Sequence, residues 1–130
     1  MAEKSFPRGA RRRFGAAGET LAAGWLEQNG YRLLARNWRS ALGEIDIICE
    51  QGDELVFVEV KARHGRQLGA PEEAVTPAKQ RRLIRAAQSY LLTHGIEQRP
   101  YRLDVIAVEA APSGEVLDIR HYPGCIESEG

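Results

Sequence analysis

Two of the most β-prone runs in this chain, Ile45-Asp46-Ile47-Ile48 and Leu55-Val56-Phe57-Val58-Glu59-Val60-Lys61, carry three charged side chains among branched and aromatic ones. Burying a charge is costly unless it is paired or bound to a metal. The segment is therefore restricted to an ion-paired hairpin or to one that presents carboxylates to a cation. Alternation puts Leu55, Phe57, Glu59 and Lys61 on one face of the second strand and Val56, Val58 and Val60 on the other. Asp46 is expected to share a face with Glu44 and Ile48. Residues 50–54 read as the turn of the hairpin. With Asp46 opposite residue 57 or 59, Asp46, Glu59 and Lys61 converge on one side of the sheet. A slip of one residue would send them to opposite faces.

The flanking sequence supplies helices to cover such a sheet. Phe14, Gly18, Leu21, Ala22 and Trp25 recur at spacings of three and four, predicting a helix from about 12 to 29, ended by Asn29-Gly30. Glu19 falls on the flank of that apolar face beside Leu26, whereas Glu27 points to solvent. Residues 31–36 read as a short strand. Thr76-Pro77 is a helix start, with Thr76 as N-cap and Pro77 in the first helical position. That helix runs to about His94, with Leu83, Ile84, Ala87, Tyr90 and Leu91 as its buried stripe. Residues 101–109 alternate as a third strong strand, 112–114 form a turn, and 116–122 read as the last strand. Residues 62–75 lack periodicity and read as a loop. The order predicts an α/β sandwich, with helices packed on a central mixed β-sheet.

Composition narrows the setting. At 130 residues the chain suits one domain with one core, expected over 13–122 between a basic tail at 1–12 and a short tail at 123–130. No apolar run approaches the roughly 20 residues that span a bilayer. The basic N-terminus lacks the apolar stretch of a signal peptide. Cys49 and Cys125 have neither metal-finger spacing nor a disulfide framework, which fits a reducing, cytoplasmic setting. The net charge is zero but uneven, because residues 1–43 hold eight Lys or Arg against three acids. Such asymmetry attracts polyanions. Arg32, Arg36 and Arg39, just ahead of the acidic strand, suit phosphate contact or simple solvation equally.

Hydrolysing a phosphodiester requires charge stabilisation on the phosphoryl group and an activated water. Mg²⁺ or Mn²⁺ ions do both, and their preference for hard oxygen calls for carboxylates. Asp46 and Glu59 are the expected ligands, with the Val60 carbonyl as a third. Lys61, two residues beyond Glu59 on the same face, is placed to deprotonate the attacking water or to act as an electrostatic clamp. An acid-x-Lys triplet alone is more often a surface ion pair. The combination with a strand-borne Asp upstream and a helical Glu shifts the balance toward a nuclease site.

These residues stand in motifs that are together quite specific: Gly15-Ala16-Ala17-Gly18-Glu19, Arg36-Asn37-Trp38-Arg39, Gly43-Glu44-Ile45-Asp46, Val58-Glu59-Val60-Lys61, Lys79 through Arg82-Leu83, and Arg102-Leu103-Asp104-Val105. Over residues 14–109 the chain resembles the YraN family of uncharacterised bacterial proteins, which look like PD-(D/E)XK nucleases and are similar to archaeal Holliday-junction resolvases. The resemblance implies a restriction-endonuclease-like three-layer sandwich, a Mg²⁺ or Mn²⁺ site, and branched or structured DNA as substrate. It implies that Glu19, Asp46, Glu59 and Lys61 form the active site, with Glu19 reaching the metal through water. A two-fold homodimer would suit a symmetric junction. Ile45 replaces the proline of the superfamily's PD pair, and Leu103 stands where Phe is more usual. The tail from Tyr122 matches poorly.

Supporting residues carry open alternatives. Lys79 and Gln80, in the first turn of the second helix, suit a phosphate or water contact, and Gln80 equally suits a hydrogen bond to backbone. Arg63, His64 and Arg66 follow Lys61 and are expected in a DNA-contacting loop. Asp104 is expected to pair with arginine. His64, His94 and His121 lack ligand spacing and read as surface or helix-end residues. Trp38 suits base stacking or, more commonly, loop anchoring. Besides the endonuclease, the residues fit a non-catalytic nucleic-acid-binding accessory module on the same fold, or a protein-interaction domain whose acids form only ion pairs.

Overall fold

A five-stranded mixed sheet lies between two helices in the computed structural model. The structure describes the backbone of residues 8–64 and 75–127, and the side chains of 17–62 and 75–127. The elements are α1 (Arg8–Gln28), β1 (Arg32–Ser40), β2 (Gly43–Gln51), β3 (Glu54–His64), α2 (Pro77–Thr93), β4 (Tyr101–Ala110) and β5 (Val116–Ile126). Spatial order follows chain order, β1-β2-β3-β4-β5. Only β3 and β4 run parallel, because α2 forms the crossover between them.

The local chemistry explains the element ends. The β2–β3 hairpin closes on the two residues Gly52-Asp53, tighter than the expected turn, with Gln51 opposite Glu54. Gly52 adopts φ 58°, which a β-carbon would oppose. The hydroxyl of Thr76 accepts the Lys79 N–H, and Pro77 stands in the first turn, as the sequence predicts. Strand β3 continues through His64, so residues 62–64 belong to the sheet rather than to a loop; residues 65–74, including Arg66, lie outside the described residues. At the other end, β5 continues to Ile126, four residues past the expected limit.

Two apolar layers cover the sheet. On one face Leu83, Ala86, Ala87, Tyr90 and Leu91 of α2 meet Ile45, Ile48, Leu55, Phe57, Leu103 and Val105. On the other, Ala22, Ala23 and Leu26 of α1 meet Ile47, Cys49, Val56, Val58, Ile106 and Val108. The buried line of α1 is Gly18, Ala22, Ala23 and Leu26, while Leu21 is exposed. Small residues let the helix approach closely. A β-carbon on Gly18 would sit 3.0 Å from the Ala62 β-carbon. Glu19, one heptad before Leu26, is thereby carried toward the sheet.

A second polar network ties β4 to β5. Asp104 is fully buried. It accepts from Arg102 Nε at 3.0 Å, from the Gly124 N–H at 2.8 Å, and lies 2.6 Å from His121 Nε2. β5 bulges around it, since Leu103 pairs with Ile126 but Val105 with Tyr122. The His121 side chain is only 6% exposed, packed edge-on against Trp25 and Tyr31. The surface role expected for His121 is therefore corrected: paired with Ile106 in the β4–β5 ladder, it shares that residue's face under α1 and meets Asp104. Burial would raise the Asp104 pKa, but the bonds from His121, Arg102 and Gly124 outweigh it and hold the carboxyl below its ordinary range.

Two variants check this packing. Gly18→Val is expected to destabilise the fold by about 1–3 kcal/mol in urea unfolding, because the α1–β3 approach has no room for the branched side chain. Asp104→Ala leaves Arg102 short of a buried partner and is expected to cost about 3 kcal/mol near neutral pH. Because the native state holds the Asp104 proton less tightly than the unfolded chain, this penalty is complete above the ordinary carboxylate range. It fades as pH falls through the depressed native value.

Candidate active site

The ladder between β2 and β3 ends with Ile47 opposite Val58. One step further in the same register brings Asp46 and Glu59 face to face. No backbone pair forms there; instead Asp46 Oδ2 accepts the Val60 N–H at 2.8 Å. Strict alternation fails at this point. Ile45 and Ile48 both pack on the α2 side and Ile47 on the α1 side, so β2 turns between residues 45 and 47. The expectation that Asp46 shares a face with Glu44 and Ile48 is corrected: its carboxylate is aimed at the backbone of β3.

Glu59 is buried, and one of its oxygens, Oε2, meets two ammonium groups, Lys79 Nζ at 2.7 Å and Lys61 Nζ at 3.7 Å. Lys79 reaches it from the first turn of α2, which the Thr76 cap and Pro77 position. Burial alone would lower the Lys79 pKa, but its bond to Glu59 and the charges of Glu59 and Asp46 raise it, so it remains a cation. Gln80 takes the backbone role: its amide donates to the Val75 carbonyl at 2.8 Å.

Asp46 is less well served. Its pKa is pushed up to about 7, first by burial and then by Glu59 and Glu19, against the opposing Val60 N–H and Lys79. Glu19 is raised too, chiefly by burial, with Arg36 and Asn37 opposing and Glu44 and Glu59 adding to the rise. Three carboxylates thus sense one another at the point where β2 and β3 part.

Strand β1 supports this group from the α1 side. Arg36 lies 3.9 Å from Glu19 and donates to the Thr20 hydroxyl at 3.2 Å. Asn37, hydrogen-bonded to Glu19, adopts φ 52°, the one positive φ among described non-glycine residues; asparagine tolerates it. The motif drew attention to Asn37, but nothing in the sequence marked it as a partner of Glu19. Trp38 packs edge-on against Tyr90 at 5.3 Å, the anchoring role. Arg39 pairs with Glu44, both exposed. The Arg63 side chain lies outside the described residues. Cys49 is buried with its thiol pKa pushed up to about 12, chiefly by that burial, which removes it as a nucleophile.

Among the described residues, no three His, Cys, Asp or Glu side chains are gathered closely enough to hold a metal ion. Each carboxylate has a protein partner instead: Lys79 for Glu59, the Val60 N–H for Asp46, and Arg36 with Asn37 for Glu19. Asp46 and Glu59 still offer hard oxygen donors, and the negative charge crowded at Asp46 is of the kind a divalent cation relieves.

The family profile of the uncharacterised protein family UPF0102 matches residues 18–108, a stretch that includes every one of these carboxylates. The chain belongs to that family. This agrees with its resemblance to YraN proteins. A UPF0102 protein of Symbiobacterium thermophilum is 55% identical over 105 residues, covering 81% of this chain and 89% of that protein. One from Roseiflexus castenholzii is 42% identical over 120 residues, covering 92% and 97%. Among solved structures, Pyrococcus furiosus SfsA in complex with Ca²⁺ is similar with a TM-score of 0.43 and 18% identity, over 88% of this chain and 64% of that one. Among the described residues of this UPF0102 chain, no helix is long and apolar enough to cross a membrane.

Asp46 gives a direct test of the crowding. It holds its proton more tightly in the native state than its ordinary value of 3.8 would allow, so the native state is favoured below that value and loses the advantage as pH rises through about 7. Asp46→Asn is expected to raise the stability of the metal-free protein at pH 8 by roughly 1–2 kcal/mol. The gain should vanish by about pH 4 when thermal unfolding is followed across the range.

Proposed function

We propose that this UPF0102 protein is a metal-dependent endonuclease that hydrolyses phosphodiester bonds in branched or structured DNA. The observation that carries the reading is Asp46. A buried carboxylate whose pKa rises to about 7 beside Glu59 and Glu19 gains most from a divalent counter-ion, and strongly perturbed acids mark functional sites. Asp46, Glu59 and the Val60 carbonyl would hold Mg²⁺ or Mn²⁺, with Glu19 acting through water. Bound there, the cation would neutralise phosphoryl charge and activate water. Lys61 orients or deprotonates the water beside the scissile phosphate. Lys79, held as a cation, moves from Glu59 to a phosphate oxygen. Arg36 and Arg39 line the approach from β1, where they serve phosphate contact and carry no base specificity.

One observation favours a second reading. Lys79 already neutralises Glu59 at 2.7 Å, and such closed ion pairing suits a non-catalytic nucleic-acid-binding module. That module would bind DNA in a salt-dependent manner whether or not Asp46 is intact.

A panel of labelled four-way junctions, flaps, single strands and duplexes, incubated with Mn²⁺ or Mg²⁺, separates the two. Cleavage of branched DNA is expected, reduced about a hundredfold or more in Asp46→Ala and Lys61→Ala, with both variants folded by circular dichroism. If no substrate is cut with either metal while DNA binding persists in Asp46→Ala, the enzyme reading fails and the binding module stands.

A further inference from the structure

We propose that the outer edge of β5 pairs with the same edge of a second copy of this chain, antiparallel about Ile119, to give a two-fold dimer with one continuous sheet. β5 ends the sheet, and among the described residues no strand lies on its outer side. An open edge is a template for strand addition unless it is defended.

The other edge is defended. β1 carries a register shift between Leu33 and Ala35 and a left-handed residue at Asn37. Arg32 and Arg39 stand out from it, 79% and 78% exposed. β5 pairs with β4 without a break over Asp118–Tyr122, between a register shift on either side, and its exposed charges there, Asp118 and Arg120, are of opposite sign. Two apolar side chains, Val116 and Leu117, are exposed at the start of the same strand.

Charge selects the register. Asp118 and Arg120 share a face of β5 and pair at 2.7 Å. Antiparallel pairing centred on Ile119 sets Asp118 opposite Arg120 of the second copy, Leu117 opposite His121, and Val116 opposite Tyr122. The four charges then alternate, so each arginine gains a further carboxylate. Centring on Asp118 would set aspartate against aspartate, and centring on Arg120 arginine against arginine. Of these three registers only the one centred on Ile119 is self-complementary, which is what a two-fold contact requires.

The axis of such a pair stands perpendicular to the sheet, so both α2 faces lie on the same side. The two β2–β3 forks are then six inter-strand steps apart, roughly 29 Å across the strands at about 4.8 Å each. The use of that spacing on two-fold DNA rests on the proposed nuclease function; the pairing itself does not.

Sedimentation of the full chain over a concentration series tests the contact, with Asp118→Arg, Arg120→Asp, the double reversal and Leu117→Lys as variants. A strand-edge contact is small, so the wild type is expected to dimerise with a Kd on the order of 10 µM. Each single reversal should weaken the dimer about tenfold or more, and the double reversal should restore it to within about threefold. Arg120 also lies 3.8 Å from Glu109; should Arg120→Asp unfold, Leu117→Lys decides, because its exposed position leaves the monomer intact. Loss of dimer in Leu117→Lys at unchanged Tm supports the contact. A wild type that stays monomeric to about 500 µM overturns it, as does a dimer indifferent to the single reversals or to Leu117→Lys. Failure of the double reversal to restore association, with that variant folded, also overturns it.

Discussion

The ion pair between Lys79 and Glu59, 2.7 Å long, is the constraint on which the rest of the arrangement turns. Glu59 lies in a strand whose neighbours Phe57, Val58 and Leu55 are fully buried, so its carboxylate cannot look to bulk water for solvation. A countercharge must arrive from another element. It arrives from α2, and this sets where that helix begins. The Thr76 cap closes its first turn, and Gln80 ties that turn back to Val75. Lys79 is thereby presented to the sheet while Leu83, Ala87 and Tyr90 pack on the apolar part of the same face. Helix docking and charge pairing are satisfied together.

Asp104 and Asp46 show how differently one residue type can be treated within one sheet. Asp104 receives an arginine, a histidine and a backbone N–H, and its pKa falls despite complete burial. Asp46 receives a single N–H and two neighbouring carboxylates, and its pKa climbs to about 7. Folding alone would favour the first arrangement at both positions. The two make opposite contributions with pH, since Asp104 supports the fold once ionised and Asp46 supports it only while protonated. Local destabilisation retained against this pressure is characteristic of a site kept for chemistry.

What was legible in the chain was what local chemistry decides. The hairpin, the Thr76-Pro77 helix start and the buried stripe of α2 each rest on residues within a few positions of one another; the helix start forms as the sequence predicts, the hairpin forms with a tighter turn, and the stripe forms with Ala86 fully buried and Ile84 only partly so. The convergence of Glu59 and Lys61 follows from the period of two. The exact aim of Asp46 does not, because β2 turns between Ile45 and Ile47 where its ladder with β3 ends. Periodicity has no means of expressing such a turn. The inward placement of His121 was hidden for a related reason. It depends on Asp104, 17 residues away, and is decided by the β4–β5 register, which sets His121 opposite Ile106. Glu19 could be placed on a helix flank by phase, yet its partners Arg36 and Asn37 come from a strand that only tertiary structure brings near.

The two edges of the sheet carry this division further. Of the features that close β1 to strand addition, the left-handed Asn37 also holds Glu19, with Arg36 beside it, while Arg32 and Arg39 pair with Glu50 and Glu44 of β2. Irregular backbone there serves two ends at once, since a bulged, charged edge resists pairing and offers donors to an anion. β5 lies beyond the residues matched by the family, 18–108, and its two register shifts, one beside Asp104 and one at Leu117, leave Asp118–Tyr122 between them paired without a break. A sheet built this way separates its tasks by edge: the polar, distorted side attends to the carboxylates, and the regular side is left with its hydrogen-bonding groups facing outward. Those groups need a partner, water or strand, and the alternating Asp118 and Arg120 determine that a second copy fits in one register and not in its neighbours.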